Sequence, residues 1–134
     1  MSDNFDDLQV SYGRCLRNGQ FIEQFYELFM DSHPDVPALF EKTDFSTQRM
    51  ALRRGISSAI AHAGGSQLAK RTMDQMVKVH SRGGRVPVAA ALYTYWVESL
   101  LTVISENDPE YTPALGQRWR LAMNQVTDYF IRHF

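Results

Sequence analysis

Apolar residues recur along the chain at the three- and four-residue spacings of amphipathic helices, and stretches that alternate as strands do are hard to find. Glycine and proline are few and clustered, and they divide the chain into long helical stretches. The first stretch covers about residues 4–17, with Ser2 or Asp3 as N-cap and Asn18-Gly19 at its end. Its apolar stripe consists of Phe5, Leu8, Tyr12, Cys15 and Leu16.

The next two predicted helices differ in their buried faces. Residues 20–32 carry a wide aromatic side that must be largely buried, formed by Phe21, Ile22, Phe25, Tyr26, Phe29 and Met30. Pro34 and Pro37 end this helix and allow a short helical turn up to Leu39-Phe40. Thr43 or Asp44 can cap a helix over about residues 45–62. Its buried row is predicted to be Phe45, Gln48, Leu52, Ile56 and Ile60, with Arg49, Arg53 and Arg54 outside.

Three more helices complete the pattern. After the Gly64-Gly65 break, residues 66–80 place on one side Leu68, Met73, Met76, Val77 and His80. Beyond the SRGGR hinge, residues 87–105 form the most apolar helix, with Tyr93, Trp96, Val97, Leu100, Leu101 and Ile104. The last helix follows NDPEYTP and carries Trp119, Met123, Val126, Tyr129 and Phe130. The pattern predicts an all-α protein of six or seven helices.

Composition narrows the class of protein. The 134 residues are enough for one sizeable core and too few for two ordinary domains, so residues 1–134 are expected to form a single domain. A formal net charge of −1 lacks the excess of positive charge that is typical of proteins that bind nucleic acids or membrane surfaces. No apolar run reaches the roughly 18–20 residues of a membrane span. With the single cysteine Cys15 and an acidic N-terminus, we expect a soluble, cytoplasmic protein.

Candidate chemistry centres on histidine, because phosphate-binding glycine loops, HExxH, Cys-His zinc spacings and G-x-S-x-G are all missing from the sequence. His33 precedes a proline, His62 lies beside the Gly-Gly break and His133 is penultimate. His80 differs because it ends an apolar helical stripe. It can be a structural or surface histidine, or an axial ligand. One histidine suffices for iron when a porphyrin supplies four nitrogens, whereas other iron and zinc sites need more protein ligands.

Four segments, in order, resemble the bacterial single-domain globins, including Vitreoscilla-type haemoglobin, and the haem domain of flavohaemoglobins. QFYELFMDSHPDVPALF resembles the second and third helices of these proteins, and TQRMAL resembles their distal helix. MVKVHSR resembles their proximal segment, and AAALYTYWVESLL is similar to the start of the helix that follows. The resemblance covers nearly the whole chain. It implies a globin fold, a three-over-three sandwich of six to seven helices around a haem pocket.

The resemblance also implies roles for individual residues. His80 is the expected iron ligand of haem b, with Tyr93 packed against it. Tyr26 and Gln48 are the expected distal hydrogen-bond donors to a bound gas. Further haem contacts are expected at Phe40, Leu52, Ile56, Met76 and Val97. The alternatives are that Tyr26 is a core aromatic bonded to a backbone carbonyl and that Gln48 is merely solvated.

The expected function is reversible binding of O₂, or of CO or NO, as in oxygen transport, rather than catalysis. The alternatives are nitric-oxide dioxygenation with a separate reductase, a gas or redox sensor, and a haem-free interaction module. Two departures from the flavohaemoglobin pattern favour a binding protein. The sequence has no flavin or nicotinamide domain, and it ends at Phe134, before the glutamate that completes the proximal site of those enzymes. A monomer or homodimer is expected, without nucleic-acid or membrane partners.

Overall fold

Seven α-helices are present in residues 3–81 and 88–133, the part of the chain that the computed structural model describes. In chain order they are α1 (Asp6–Leu16), α2 (Phe21–Ser32), α3 (Val36–Leu39), α4 (Phe45–Ala63), α5 (Gln67–His80), α6 (Ala90–Asn107) and α7 (Pro113–Arg132). Within these ranges there is no strand, so the all-α prediction is confirmed. None of the seven helices is long and apolar enough to cross a membrane.

The helices enclose one continuous hydrophobic core. α2 packs against α6, α4 packs against both α5 and α7, and α6 packs against α7, while α1 touches α4 and α6. The largest side chains that lose all contact with solvent are Trp119, Phe21, Phe25, Leu8, Ile56, Ile60, Met73, Leu100, Ile104 and Met123. Each comes from an apolar stripe at helical spacing, so burial of those stripes is the main stabilising force.

α1 begins at Asp6, later than its pattern predicts. Phe5, the residue before it, has φ 56° and ψ 33°, a left-handed conformation that a large L side chain rarely adopts. The Asp3 carboxylate accepts the Phe5 N–H at 2.9 Å and therefore caps this turn instead of the helix. The Phe5 ring is buried beneath the Arg118 guanidinium, 5.2 Å from its centroid. The other predicted cap, Ser2, lies outside the described residues.

Side-chain caps fix where three other helices begin. The Asp44 carboxylate accepts the Ser46 N–H at 3.0 Å at the start of α4. The hydroxyls of Ser66 and Thr112 cap α5 and α7 in the same way, with distances of 3.3 and 3.1 Å to backbone nitrogens. Each cap satisfies a backbone donor that the first helical turn leaves without a partner.

Three predictions from the helical pattern need correction. Leu68 is 91 % exposed, so its assignment to the buried side of α5 is wrong. The buried stripe passes through Ala69 and Met73, and Leu68 lies about 100° around the helix from Ala69. Arg49 is half-buried instead of fully outside. α6 begins at Ala90, because Ala89 is extended with φ −63° and ψ 140°, so the predicted start at residue 87 is too early.

Candidate functional site

Tyr26 of α2 and Gln48 of α4 meet through their polar groups. The Gln48 side-chain amide donates to the Tyr26 hydroxyl at 3.1 Å, and that hydroxyl donates a longer bond, 3.4 Å, to the Gln48 backbone carbonyl. Tyr26 is only 6 % exposed, and burial raises its pKa to about 12. The phenol is therefore a protonated donor at neutral pH. The core position and the backbone bond that the alternative interpretation gives Tyr26 are both present, together with the contact to Gln48.

An aromatic wall surrounds the Tyr26 ring. Phe40, which follows α3, and Phe45, the first residue of α4, each meet the ring edge-on with centroids 5.6 Å apart. Phe40 also packs on Phe29 of α2 at 6.1 Å. Pro34 and Pro37 terminate α2 and turn the chain so that Phe40 can fold back onto it. The wall covers part of the phenol ring with apolar surface.

His80, the last residue of α5, has a defined tautomer. Its Nδ1 lies 2.7 Å from the Met76 carbonyl oxygen, one helical turn earlier. A carbonyl can only accept, so Nδ1 carries the proton and Nε2 of the neutral ring keeps its lone pair. Burial lowers the pKa of His80, which favours that neutral ring at pH 7. Of the two ring nitrogens, Nε2 is therefore the one whose lone pair is not engaged by this bond.

Phe130 of α7 supports the His80 ring. The two rings lie 5.8 Å apart, and Tyr93 of α6 packs edge-on against the same phenylalanine at 5.7 Å. The Tyr93 and His80 rings therefore both contact Phe130. The sequence marks Phe130 only as an apolar position on the last helix, 50 residues beyond His80. Nothing in its local pattern distinguishes it from the other apolar residues of α7.

The residues predicted to contact haem fall into two groups. Ile56 and Val97 are buried in the closed core, at 0 % and 3 % exposure. The other predicted contacts pack against the core but are only partly buried, namely Phe40, Leu52, Met76 and Tyr93. The neighbouring residues that are also partly buried include Phe45, Val77 and Trp96. Large half-buried apolar side chains from three helices and a loop are what a flat apolar group would cover. Together with the Nε2 lone pair of His80, this donor set and surface fit haem.

The remaining histidines and the cysteine have other surroundings. His33 packs against Tyr95 with the ring centroids 4.9 Å apart and the rings tilted by 55°. His62 and His133 both lie against Tyr129, at 5.0 and 4.5 Å. Cys15 has no exposed surface, and burial raises its pKa to about 12, which confirms the prediction that it is a packed residue. None of these four side chains contacts the Tyr26–Gln48 pair.

Comparison with known proteins now decides the fold family. No family model matches the chain, and neither does any curated protein. Among solved structures, the chain is similar to protein PA3967 from Pseudomonas aeruginosa PAO1, described as structurally highly homologous to a human hemoglobin. The two share 27 % sequence identity and a TM-score of 0.91, over 98 % of each chain. The chain is a globin by fold.

The predicted fold class and the resemblance to bacterial globins are therefore confirmed. A globin fold suggests a haem-binding protein with small gas ligands, in agreement with the half-buried apolar surface and the His80 tautomer. The ligand of this globin and the role of each side chain stay predictions.

Proposed function

We propose that this globin binds haem b through His80 and reversibly binds O₂ or another diatomic gas. The observation that carries the proposal is the bond from His80 Nδ1 to the Met76 carbonyl, 2.7 Å long, which leaves Nε2 as the only available ring nitrogen for iron. Phe130 restricts the tilt of the ring from one side. Haem, when bound, supplies the iron at which the gas is held.

The proposed role of Tyr26 and Gln48 is to donate hydrogen bonds to the bound gas. Their mutual bond is neutral on both sides and 3.1 Å long. A neutral pair of this kind contributes about 1 kcal/mol, so either group can exchange its partner for a polarised ligand at little cost. Phe40 and Phe45 pack edge-on against the phenol ring and give the ligand site apolar walls. We expect such walls to slow oxidation of ferrous iron and to support reversible binding.

The partner of His80 favours a carrier over an oxidising enzyme. A carboxylate that accepts the Nδ1 proton raises the basicity of a metal-bound imidazole. In this globin the acceptor is a neutral backbone carbonyl of the same helix. We therefore expect reversible gas binding to dominate over peroxidase-type or nitric-oxide dioxygenase-type turnover.

Visible absorption spectra of purified protein test the proposal. We expect a Soret band in the ferric protein that shifts on reduction and again under CO. The His80→Gly variant should lose or alter this band, and added imidazole should restore a histidine-like spectrum because it can occupy the vacated position. His62→Ala is the matched control, since His62 packs on Tyr129, and it should match the wild type.

Two outcomes would overturn the proposal. One is the absence of a Soret band after addition of hemin to folded protein. The other is a His80→Gly variant whose ferrous and CO spectra equal those of the wild type without imidazole.

A further inference from the structure

An open hollow lies at the surface between α2 and the first turn of α4, beside Tyr26. Its volume is about 590 Å³. One wall comes from α2 and the other from the start of α4, with lining residues Glu23, Tyr26, Glu27, Met30, Asp31, Phe45 and Arg49. An O₂ or CO molecule is far smaller than this volume. The hollow is thus wide enough for a gas to move through it freely.

Two aromatic rings that line the hollow also belong to the surroundings of the proposed distal pair. Tyr26 lines the hollow, and its hydroxyl is hydrogen-bonded to Gln48. Phe45 likewise borders the hollow and packs on Phe40 at 5.8 Å. A molecule that passes between the Tyr26 and Phe45 rings therefore arrives beside the two proposed distal donors.

Phe45 is the more easily displaced of these two rings. It is half-buried, whereas Tyr26 is 6 % exposed and carries hydrogen bonds. Phe45 is also the first residue of α4, where the backbone N–H groups depend on the Asp44 cap instead of on intrahelical partners. Rotation of its side chain breaks no hydrogen bond. Phe45 can therefore open and close the passage as an ordinary side-chain motion.

The mouth of the hollow carries an excess of negative charge. Glu23, Glu27 and Asp31 recur every four residues and so lie along one face of α2, while Arg49 is the cation among the lining residues. At neutral pH this leaves a formal excess of two negative charges at the opening. Such a field repels small anions and does not act on neutral diatomic gases.

We propose that gases reach the distal pair through this hollow, past Phe45, and that the carboxylates at its mouth select neutral ligands over anions. This inference rests on the proposed function, because it concerns access to the same site. It assigns Phe45 and Met30 to the entry route, and it assigns Glu23, Glu27 and Asp31 to ligand selection.

The route is tested by CO rebinding after flash photolysis of the ferrous protein. Met30→Trp fills the hollow and should slow the bimolecular rate by about tenfold, whereas Phe45→Ala removes the mobile ring and should raise it about threefold. Leu28→Trp places the same bulk on α2 at a partly exposed side chain that does not line the hollow, and should rebind like the wild type. Rates for Met30→Trp and Phe45→Ala equal to the wild-type rate would overturn the route.

Charge selection is tested with azide and the ferric protein at pH 8. We compare the association rate of azide with the ferric protein and the association rate of CO with the ferrous protein. The ratio of the first rate to the second should rise about threefold in Glu23→Gln/Glu27→Gln/Asp31→Asn at low salt, and the rise should vanish in 1 M salt. Neutralising the exposed Glu106 and Asp128 instead should leave the ratio unchanged. An unchanged ratio in the triple variant would overturn the selection. A protein without a Soret band would instead overturn the proposed function, so the two failures are distinguishable.

Discussion

Polar side chains meet inside this fold at two places that differ in strength. One is the junction of α1, α6 and α7, where the Asp108 carboxylate is 4 % exposed. It accepts the Ser11 hydroxyl and the Arg14 Nε–H, both at 2.6 Å, and Ser11 in turn accepts the Trp119 indole N–H at 3.0 Å. The other is the Tyr26–Gln48 pair, with neutral groups at 3.1 and 3.4 Å.

The difference separates a polar group that holds the fold from one that can bind a ligand. At Asp108 the bonds are short, charge-assisted and shared among three helices, so loss of one partner leaves a buried charge. At Tyr26 the bonds are neutral and long, and half-buried residues surround them. Little free energy of folding is lost when the Tyr26–Gln48 bonds rearrange. We conclude that hydrogen-bond strength, more than burial, distinguishes the structural polar site from the proposed functional one.

Loss of the Asp108 carboxylate should give the largest change in the free energy of unfolding. We expect Asp108→Ala to lower the free energy of unfolding by about 3 kcal/mol, because Arg14 and Ser11 lose their shared acceptor. Chemical denaturation measures this loss. Asp128→Ala, at an exposed carboxylate on α7, is the control and should change stability by less than about 0.5 kcal/mol. Equal effects of the two variants would contradict a structural role for the junction.

The junction should also make stability depend on acid pH. The bonds from Arg14 and Ser11 lower the pKa of Asp108 to about 2, below its ordinary value near 3.8. Its stabilising contribution is therefore complete above pH 4 and is lost as pH falls through 2. We expect a decrease of at most about 2 kcal/mol over that interval. Urea unfolding at several pH values should show this decrease in the wild type and a smaller one in Asp108→Asn.

Local patterns predict most helices, and tertiary contacts set the exceptions. Caps such as Asp44 and Ser66 act on donors within three residues, so the sequence alone indicates where α4 and α5 begin. The start of α1 depends on Phe5, whose ring is covered by Arg118 of α7, more than a hundred residues away. At Leu68 the local pattern predicts burial, and the residue is exposed. A large apolar residue next to a buried stripe looks like part of it until the packing partners are known.

Some features of the candidate site also follow from the sequence, whereas others depend on tertiary packing. The row of fours on α4 predicts that Gln48 is on the buried side, and the resemblance to bacterial globins implies that Tyr26 and Gln48 are both distal donors. The structure brings the two side chains into contact. The bond from His80 to the Met76 carbonyl is local, since it spans one helical turn. The support from Phe130 could not be predicted, because it depends on tertiary packing that brings the end of α7 to the end of α5. The hollow beside Phe45 is likewise a property of packing between α2 and α4.

Substitution of Gln48 in the Tyr26–Gln48 pair should give the smallest change in stability and a clear change in ligand binding. Gln48→Leu removes one neutral donor, so we expect stability to change by less than about 1 kcal/mol, and O₂ to dissociate about five- to tenfold faster. Gln117→Leu makes the same substitution at an exposed position of α7 and should alter neither quantity. Stopped-flow replacement of O₂ by CO measures the dissociation rate, and urea unfolding measures the stability. If Gln48→Leu instead costs several kcal/mol and leaves O₂ dissociation unchanged, the pair is structural like Asp108, and bond strength does not separate the two sites.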